Sequence, residues 1–94
     1  MSFDLRFLPS ALKEWEKLGA PVRAQFKKKL AERLEHPRIL RDALHGLPDH
    51  YKIKLRDAGY RLVYRVEDQT VTVTVVAVGK REKSRVYRDA ARRG

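Results

Sequence analysis

Four cations and a phenol stand out for the chemistry they could do together: Lys52, Lys54, Arg61 and Arg81, with Tyr87 shortly beyond. Such a set suits cleavage of an RNA backbone without a metal. The nucleophile there is the substrate's own 2′-hydroxyl, already adjacent to the phosphorus. A protein has to align it, take its proton, neutralise the equatorial phosphate oxygens and protonate the leaving 5′-oxygen. Arginine offers planar, bidentate contacts to phosphate. A lysine crowded by other cations has its charged form disfavoured, which moves its pKa towards the range of a usable base. His45 and His50 flank the entry to this stretch, and a histidine base at His50 is the alternative. His36, at a helix end, reads as a capping or surface residue.

The elements that must position these groups centre on Tyr51 to Tyr64, YKIKLRDAGYRLVY. Tyr51, Ile53 and Leu55 point one way and Lys52, Lys54 and Arg56 the other, the period-2 alternation of a half-buried strand. Asp57-Ala58-Gly59 supplies turn chemistry. Tyr60, Leu62, Tyr64 and Val66 then resume the apolar face, with Arg61, Val63 and Arg65 opposite. A slip of one residue would flip a strand's side chains, so parity fixes which residues share a face. The loop length suggests Leu55 opposite Leu62 and Ile53 opposite Tyr64. Lys52, Lys54, Arg56, Arg61 and Arg65 thus gather on one face, where opposed like charges are unfavourable by up to about 1 kcal/mol per pair. Such a face suits a polyanion, and a merely solvated sheet face is the plainer reading.

The flanking chain supports a sheet packed by helices. Phe3 to Phe7 alternates as a first strand, and Ser10 suits the N-cap of a helix carrying Ala11, Leu12, Trp15 and Leu18, with Gly19 as its stop. Trp15 on that stripe reads as core rather than as a stacking platform for a base. Pro21 suits the first turn of a second helix, where Val22, Phe26, Leu30 and Leu34 form an i, i+4 row, and His36-Pro37 closes it. The short connection between the helices predicts an antiparallel pair. Arg23, Lys27, Lys28, Lys29 and Arg33 read as its solvated outer face. Arg38 to His50 forms a connector with a local apolar patch at Ile39, Leu40 and Leu44.

Thr70 to Val78 is β-branched almost throughout and reads as the strongest strand. Pairing Val66 with Val71 and Leu62 with Val75 keeps the apolar face continuous. That register puts Val76 beside Arg61 on the basic face and brings Lys80-Arg81 to its edge, near Arg56. Glu82 to Arg93 predicts a short C-terminal helix with Val86, Tyr87, Ala90 and Ala91 on its less polar side, the most weakly docked element. The expected fold is α+β: one domain over residues 1–94, an antiparallel sheet with strands near 2–7, 50–56, 60–66 and 70–78, an N-terminal antiparallel helix pair and a short C-terminal helix.

Composition limits the alternatives. The 94 residues hold 22 Lys and Arg against 12 Asp and Glu, a formal net charge of +10, which favours nucleic acid, an anionic membrane or an acidic partner. A chain of this size buries about 60–65% of its unfolded surface, enough for one core. There are no cysteines, so no disulfide framework or thiolate chemistry. The three His residues are scattered without metal-ligand spacing. No P-loop or GxGxxG motif is present, and no apolar run reaches the length of a membrane span. The expectation is a cytoplasmic basic domain with no cofactor and no metal.

Three segments, ALKEWEKLG followed by a long basic helix, LHGLPDHYKIKLRDAGYRLVY, and VGKREKSRVYRDA, resemble the RelE toxins of bacterial toxin–antitoxin systems. The resemblance runs essentially end to end. It implies a microbial-ribonuclease-like fold and an mRNA interferase, an endoribonuclease that cleaves mRNA in the ribosomal A site and inhibits translation in a stress response. It also implies a cognate RelB-like antitoxin, the ribosome with its mRNA and rRNA, and a toxin–antitoxin complex on operator DNA as partners, with no membrane. The family's paired lysines match Lys52 and Lys54, its hairpin arginine Arg61, its post-strand arginine Arg81 and its C-terminal tyrosine Tyr87. Lys54 or Tyr87 would take the 2′-hydroxyl proton, with Lys54 favoured and Tyr87 as orienter. Arg61 would stabilise transition-state charge, and Arg81 would act on the leaving oxygen or the phosphate. Arg56, Arg65, Lys80 and Lys83 remain as substrate-binding candidates. A gyrase-directed ParE-like toxin, or a basic RNA- or ribosome-binding module that does not cut, are the alternatives on the same scaffold.

Overall fold

The computed structural model describes residues 2–80, 82 and 85–93. Strand β1 (Asp4–Phe7) leads into helices α1 (Pro9–Glu16) and α2 (Ala20–Glu35), and a 3₁₀ turn (Leu40–Asp42) precedes β2 (His50–Leu55), β3 (Tyr60–Glu67), β4 (Thr72–Lys80) and α3 (Arg85–Arg93). The sheet order is β1-β4-β3-β2. Three strands form the expected antiparallel meander, but β1 pairs parallel with β4, Phe7 opposite Val75, so the sheet is mixed. The helices carry the chain across the sheet to its far edge, and two hairpins bring it back beside β1 running the same way.

Helix α1 begins one residue before the predicted cap. Leu8 is its N-cap and Pro9 sits in the first turn, where a missing N–H costs nothing. Ser10 lies inside the helix. Gly19, the predicted stop of α1, is instead the N-cap of α2, and α1 ends earlier, at Glu16. Phe26 and Leu30 are fully buried, with Val22 and Leu34 packed against them, as the i, i+4 row required. Trp15 is core: its ring lies 5.2 Å from Phe7 and 6.3 Å from Phe26.

The hairpin obeys the predicted parity but not the predicted register. Leu55 faces Tyr60 and Ile53 faces Leu62, two residues from the expected alignment. The connection is shorter than assumed. Gly59 adopts φ 72°, which favours glycine, and its N–H donates to the Leu55 carbonyl at 2.8 Å. Tyr51 stacks on Tyr64 across the pair at 5.7 Å. Apolar parity is kept because the shift is even. Its consequence for the site is large: Lys54 now stands directly opposite Arg61.

Between β3 and β4 the observed pairs are Val66 with Val73 and Leu62 with Val78, and the register shifts between Val63 and Tyr64. This β-bulge turns two consecutive residues, Val76 and Ala77, to the same side. Val75 and Val78 therefore enter the large core under α1 and α2. Val76, Ala77 and Val63 meet Val86 and Ala90 of α3 in a second, smaller core. The predicted open basic face does not exist as such, because α3 covers its middle. A Cβ on Gly79 would stand 3.0 Å from Val86 Cγ2, so the glycine sets how closely α3 approaches β4. Strand β4 also begins later than expected, at Thr72, because Val71 sits at φ 51° in the preceding turn.

Candidate active site

Alternation along β2 and β3 directs Lys52, Lys54 and Arg61 to the α3 side of the sheet, and the register sets Lys54 against Arg61. The first turn of α3 brings Tyr87 over them. Tyr87 is half-buried. It lines a cavity of about 490 Å³ with Lys52, Lys54 and the Ala43–Leu47 segment, which includes His45. Leu44, Leu47 and Ala91 provide apolar walls and the lysines a cationic rim. On the other side of the two lysines, Lys29, Arg41 and Arg56 line a second groove with Arg33 and Asp42. The lysines of β2 thus form the ridge between an aromatic-walled cavity and a strongly cationic groove.

The electrostatics distinguish these cations from the rest. Arg33 donates to Asp42 at 2.7 Å, Arg38 reaches Asp49 and Asp68, Arg65 reaches Glu67 and Arg93 reaches Glu14. Arg61 is 8% exposed, more buried than any of them. Among the described residues it has no carboxylate partner, and its Nη1 donates to the Tyr60 carbonyl at 3.0 Å. A buried, unpaired guanidinium is costly, and a phosphate is its natural counter-ion.

Lys54 has its pKa lowered, first by the neighbouring Lys52 charge, then by slight burial and by Arg61 and Arg56. This is the crowding effect expected from sequence. Tyr87 is shifted the other way, its phenol pushed up by burial while the Arg61 guanidinium partly opposes the rise. An elevated phenol is a poor proton acceptor near neutrality, whereas a lowered ammonium yields more free amine. The two shifts thus run in opposite directions, one easing and the other hindering service as a proton acceptor.

The remaining candidates divide. Arg56 stays with the cluster, in the cationic groove. Arg65 does not: it lies four residues along β3 from Arg61, about 13 Å away, and pairs with Glu67 at 2.9 Å. Lys80 faces Tyr60 on the helix side of the sheet, because the bulge reverses the parity of β4; it lines a separate cleft with Glu14 and Asp89. Arg81 and Lys83 lie outside the described residues. His50 is buried, and its Nδ1 lies 2.8 Å from the Pro48 carbonyl, leaving Nε2 enclosed without a partner. It packs under the 43–48 segment, where its carbonyl also accepts from the Leu44 N–H at 3.0 Å.

Sequence reading missed Lys29, Arg41 and Asp42 as neighbours of the lysines. The spacing of Lys29 and Arg33 on one α2 row was a usable signal; Arg41 and Asp42 carried none. Arg33, read as solvated, instead donates to the Tyr64 hydroxyl at 2.8 Å and to the Lys52 carbonyl at 3.3 Å. It props β2 from behind.

A family model described as the ParE toxin of the type II toxin–antitoxin system parDE matches residues 5–85. The mRNA interferase toxin RelE of Escherichia coli K12 is 59% identical over 93 residues, covering 99% of this chain and 98% of that protein. The chain belongs to the RelE/ParE toxin family. The mRNA interferase RelE of Shigella flexneri is similar to the same degree. Among solved structures, free E. coli toxin RelE carrying two arginine substitutions superposes with a TM-score of 0.92 at 58% identity, covering 99% of this chain and 98% of that one. The toxin in the intact E. coli RelBE toxin–antitoxin complex gives 0.84 at 58% identity, covering 87% and 100%. This family shares the α+β fold of the present chain, with helices on both faces of one sheet.

Proposed function

We propose that this protein is the toxin of a toxin–antitoxin pair and an mRNA interferase that cuts messenger RNA in the ribosomal A site. The observation that carries the reading is the site itself: Arg61, buried and without a carboxylate among the described residues, opposite a lysine of lowered pKa and beside Tyr87. The Lys54 amine takes the proton of the 2′-hydroxyl, the 2′-oxygen bonds to phosphorus, and the bond to the 5′-oxygen breaks as that oxygen takes a proton from water. The products are a 2′,3′-cyclic phosphate and a 5′-hydroxyl. Arg61 holds the equatorial oxygens as charge develops, which is where preorganised donors contribute most. Lys52 keeps the Lys54 charge disfavoured and contributes phosphate contact. The family resemblance assigns Arg81 to the phosphate or the leaving oxygen. Arg56, Lys29 and Arg41 hold flanking phosphates in the adjoining groove.

Substrate alignment is a large part of such catalysis, and this site is open on one side. The ribosome supplies the second wall by holding the mRNA. The site of action is therefore the cytoplasm; no helix among the described residues is long and apolar enough to cross a membrane. The cognate antitoxin is a RelB-like chain whose segment displaces α3 and covers the cationic cluster, and the pair binds its operator DNA.

The test is cleavage of a defined mRNA on programmed ribosomes, with ends mapped to the nucleotide. Cuts confined to the A-site codon, with cyclic phosphate ends, are expected. A 2′-deoxy nucleotide before the cut should abolish them, and a transition-metal chelator at constant magnesium should not. Cleavage that survives the deoxy substitution, or no codon-level cut, overturns the reading.

A further inference from the structure

Strand β1 ends at Phe7 opposite Val75, and the last bond on that side is the Leu8 N–H to the Val75 carbonyl at 3.0 Å. Beyond it the outer edge of β4 has no strand beside it among the described residues. Two side chains take the place of the missing rung. Glu14 of α1 accepts the Val78 N–H on Oε1 at 3.1 Å. Arg93, the last residue of α3, donates to the Val76 carbonyl at 2.9 Å. The two then join: Arg93 Nη1 and Nη2 donate to Glu14 Oε1 and Oε2 at 2.9 and 3.1 Å. One bidentate pair thus ties together α1, β4 and the end of α3.

Helix α3 needs such a tie. Its nine residues bury only Val86 and Ala90, too little apolar surface to seat a helix firmly. The Arg93 side chain is 17% exposed and that of Glu14 27%, so the pair is shielded, and bidentate charge-assisted bonds are the strong kind. Tyr87 rides the same helix, six residues and about 9 Å before Arg93.

We propose that Glu14 and Arg93 form a latch that keeps α3 seated on β4, making Glu14 a positioning residue for Tyr87 although it lies outside the reacting groups. The proposal rests on the catalytic reading above for its link to cleavage, but not for the seating itself. Opening the latch frees α3, which withdraws Tyr87 and uncovers Val63, Val76 and Ala77. Toxin activity and access to the α3 seat are therefore coupled through one ion pair.

Hydrogen exchange by mass spectrometry and single-turnover cleavage together test it, on the full chain. Glu14→Gln keeps an acceptor for Val78 but removes the charge, and Arg93→Met keeps the stem. Each should speed exchange of α3 amides about tenfold, one charge-assisted hydrogen bond's worth, while β3 amides keep their protection. The double variant should be no worse than either single one, and Arg93→Lys should fall between. The cleavage rate on saturating ribosomes should drop severalfold with little change in KM. Unchanged α3 exchange, or equal acceleration in β3, overturns the latch. Freed α3 with a wild-type cleavage rate overturns the positioning role. A wild-type rate in Tyr87→Ala is different: it overturns the catalytic reading and the positioning role with it, while the exchange result still decides the seating.

Discussion

Replacing Arg61 by methionine should destroy activity while leaving the protein as stable as before, or more so. Arg61 is 8% exposed, has no carboxylate within reach among the described residues, and donates to the Tyr60 carbonyl at 3.0 Å. Losing that bond costs about 1 kcal/mol. Methionine fills a similar volume without a charge, and replacing buried charged groups by apolar ones is often neutral or stabilising by about 1–4 kcal/mol. The balance lies between no change and a modest gain. In a domain of this size about 1 kcal/mol moves Tm by roughly 4–8 °C, so Tm should hold or rise. The same change removes a preorganised donor to the developing phosphorane charge, which typically costs about 10²–10³ in rate. Thermal melts paired with single-turnover cleavage on programmed ribosomes measure both quantities. Arg61→Lys, which keeps charge but loses the fork, should recover part of the rate. A Tm lowered by more than about 5 °C, with cleavage falling only as far as the folded fraction, would refute the argument and make Arg61 a structural residue.

Two substitutions should move the pH–rate profile in opposite directions. Rate by an amine base climbs with pH until the lysine is deprotonated. Lys52→Met removes the foremost cause of the lowered Lys54 pKa, so the climb should shift to higher pH and the rate at a fixed lower pH should fall. Asp42→Asn removes a charge that raises both Lys54 and Tyr87, so the climb should shift to lower pH; it also leaves Arg33 without its 2.7 Å partner, at a cost of about 1–3 kcal/mol in a denaturant melt. Profiles that stay in place in both variants would remove Lys54 as base. With Lys54 as the proposed base, Tyr87→Phe should keep the position of the climb and most of the rate; Tyr87→Ala should lose stacking and positioning and fall about tenfold or more on single-turnover cleavage.

Much of this molecule follows from local pattern. Alternation along Tyr51–Tyr64 determines which side chains share a sheet face, because the strand period is two and any even slip preserves it. The row Val22, Phe26, Leu30, Leu34 determines the buried stripe of α2, and the crowding of Lys52, Lys54 and Arg56 determines the direction of the Lys54 shift. None of these needs knowledge of what lies across the fold. The actual register did. A four-residue turn closed by Gly59 set Lys54 opposite Arg61, where the longer assumed loop would have set Arg56 there. The bulge between Val63 and Tyr64 has no mark in a run of β-branched residues; its effect is that one strand serves two cores. It turned Val76 and Ala77 under α3 and carried Lys80 to the far face.

Charge was the least legible property. Arginine reads alike wherever it stands, and only tertiary contact separates those held by carboxylates from those that are not. Arg33, Arg38, Arg65 and Arg93 each find an acid far along the chain or beside them in the strand. Arg61 finds none among the described residues and is buried as well, and that combination marks the candidate site. The sequence by itself determined that the chain would gather cations on one side of a twisted sheet. Tertiary structure decided which of them remain free to hold a phosphate, because pairing depends on distance through space and alternation records only direction.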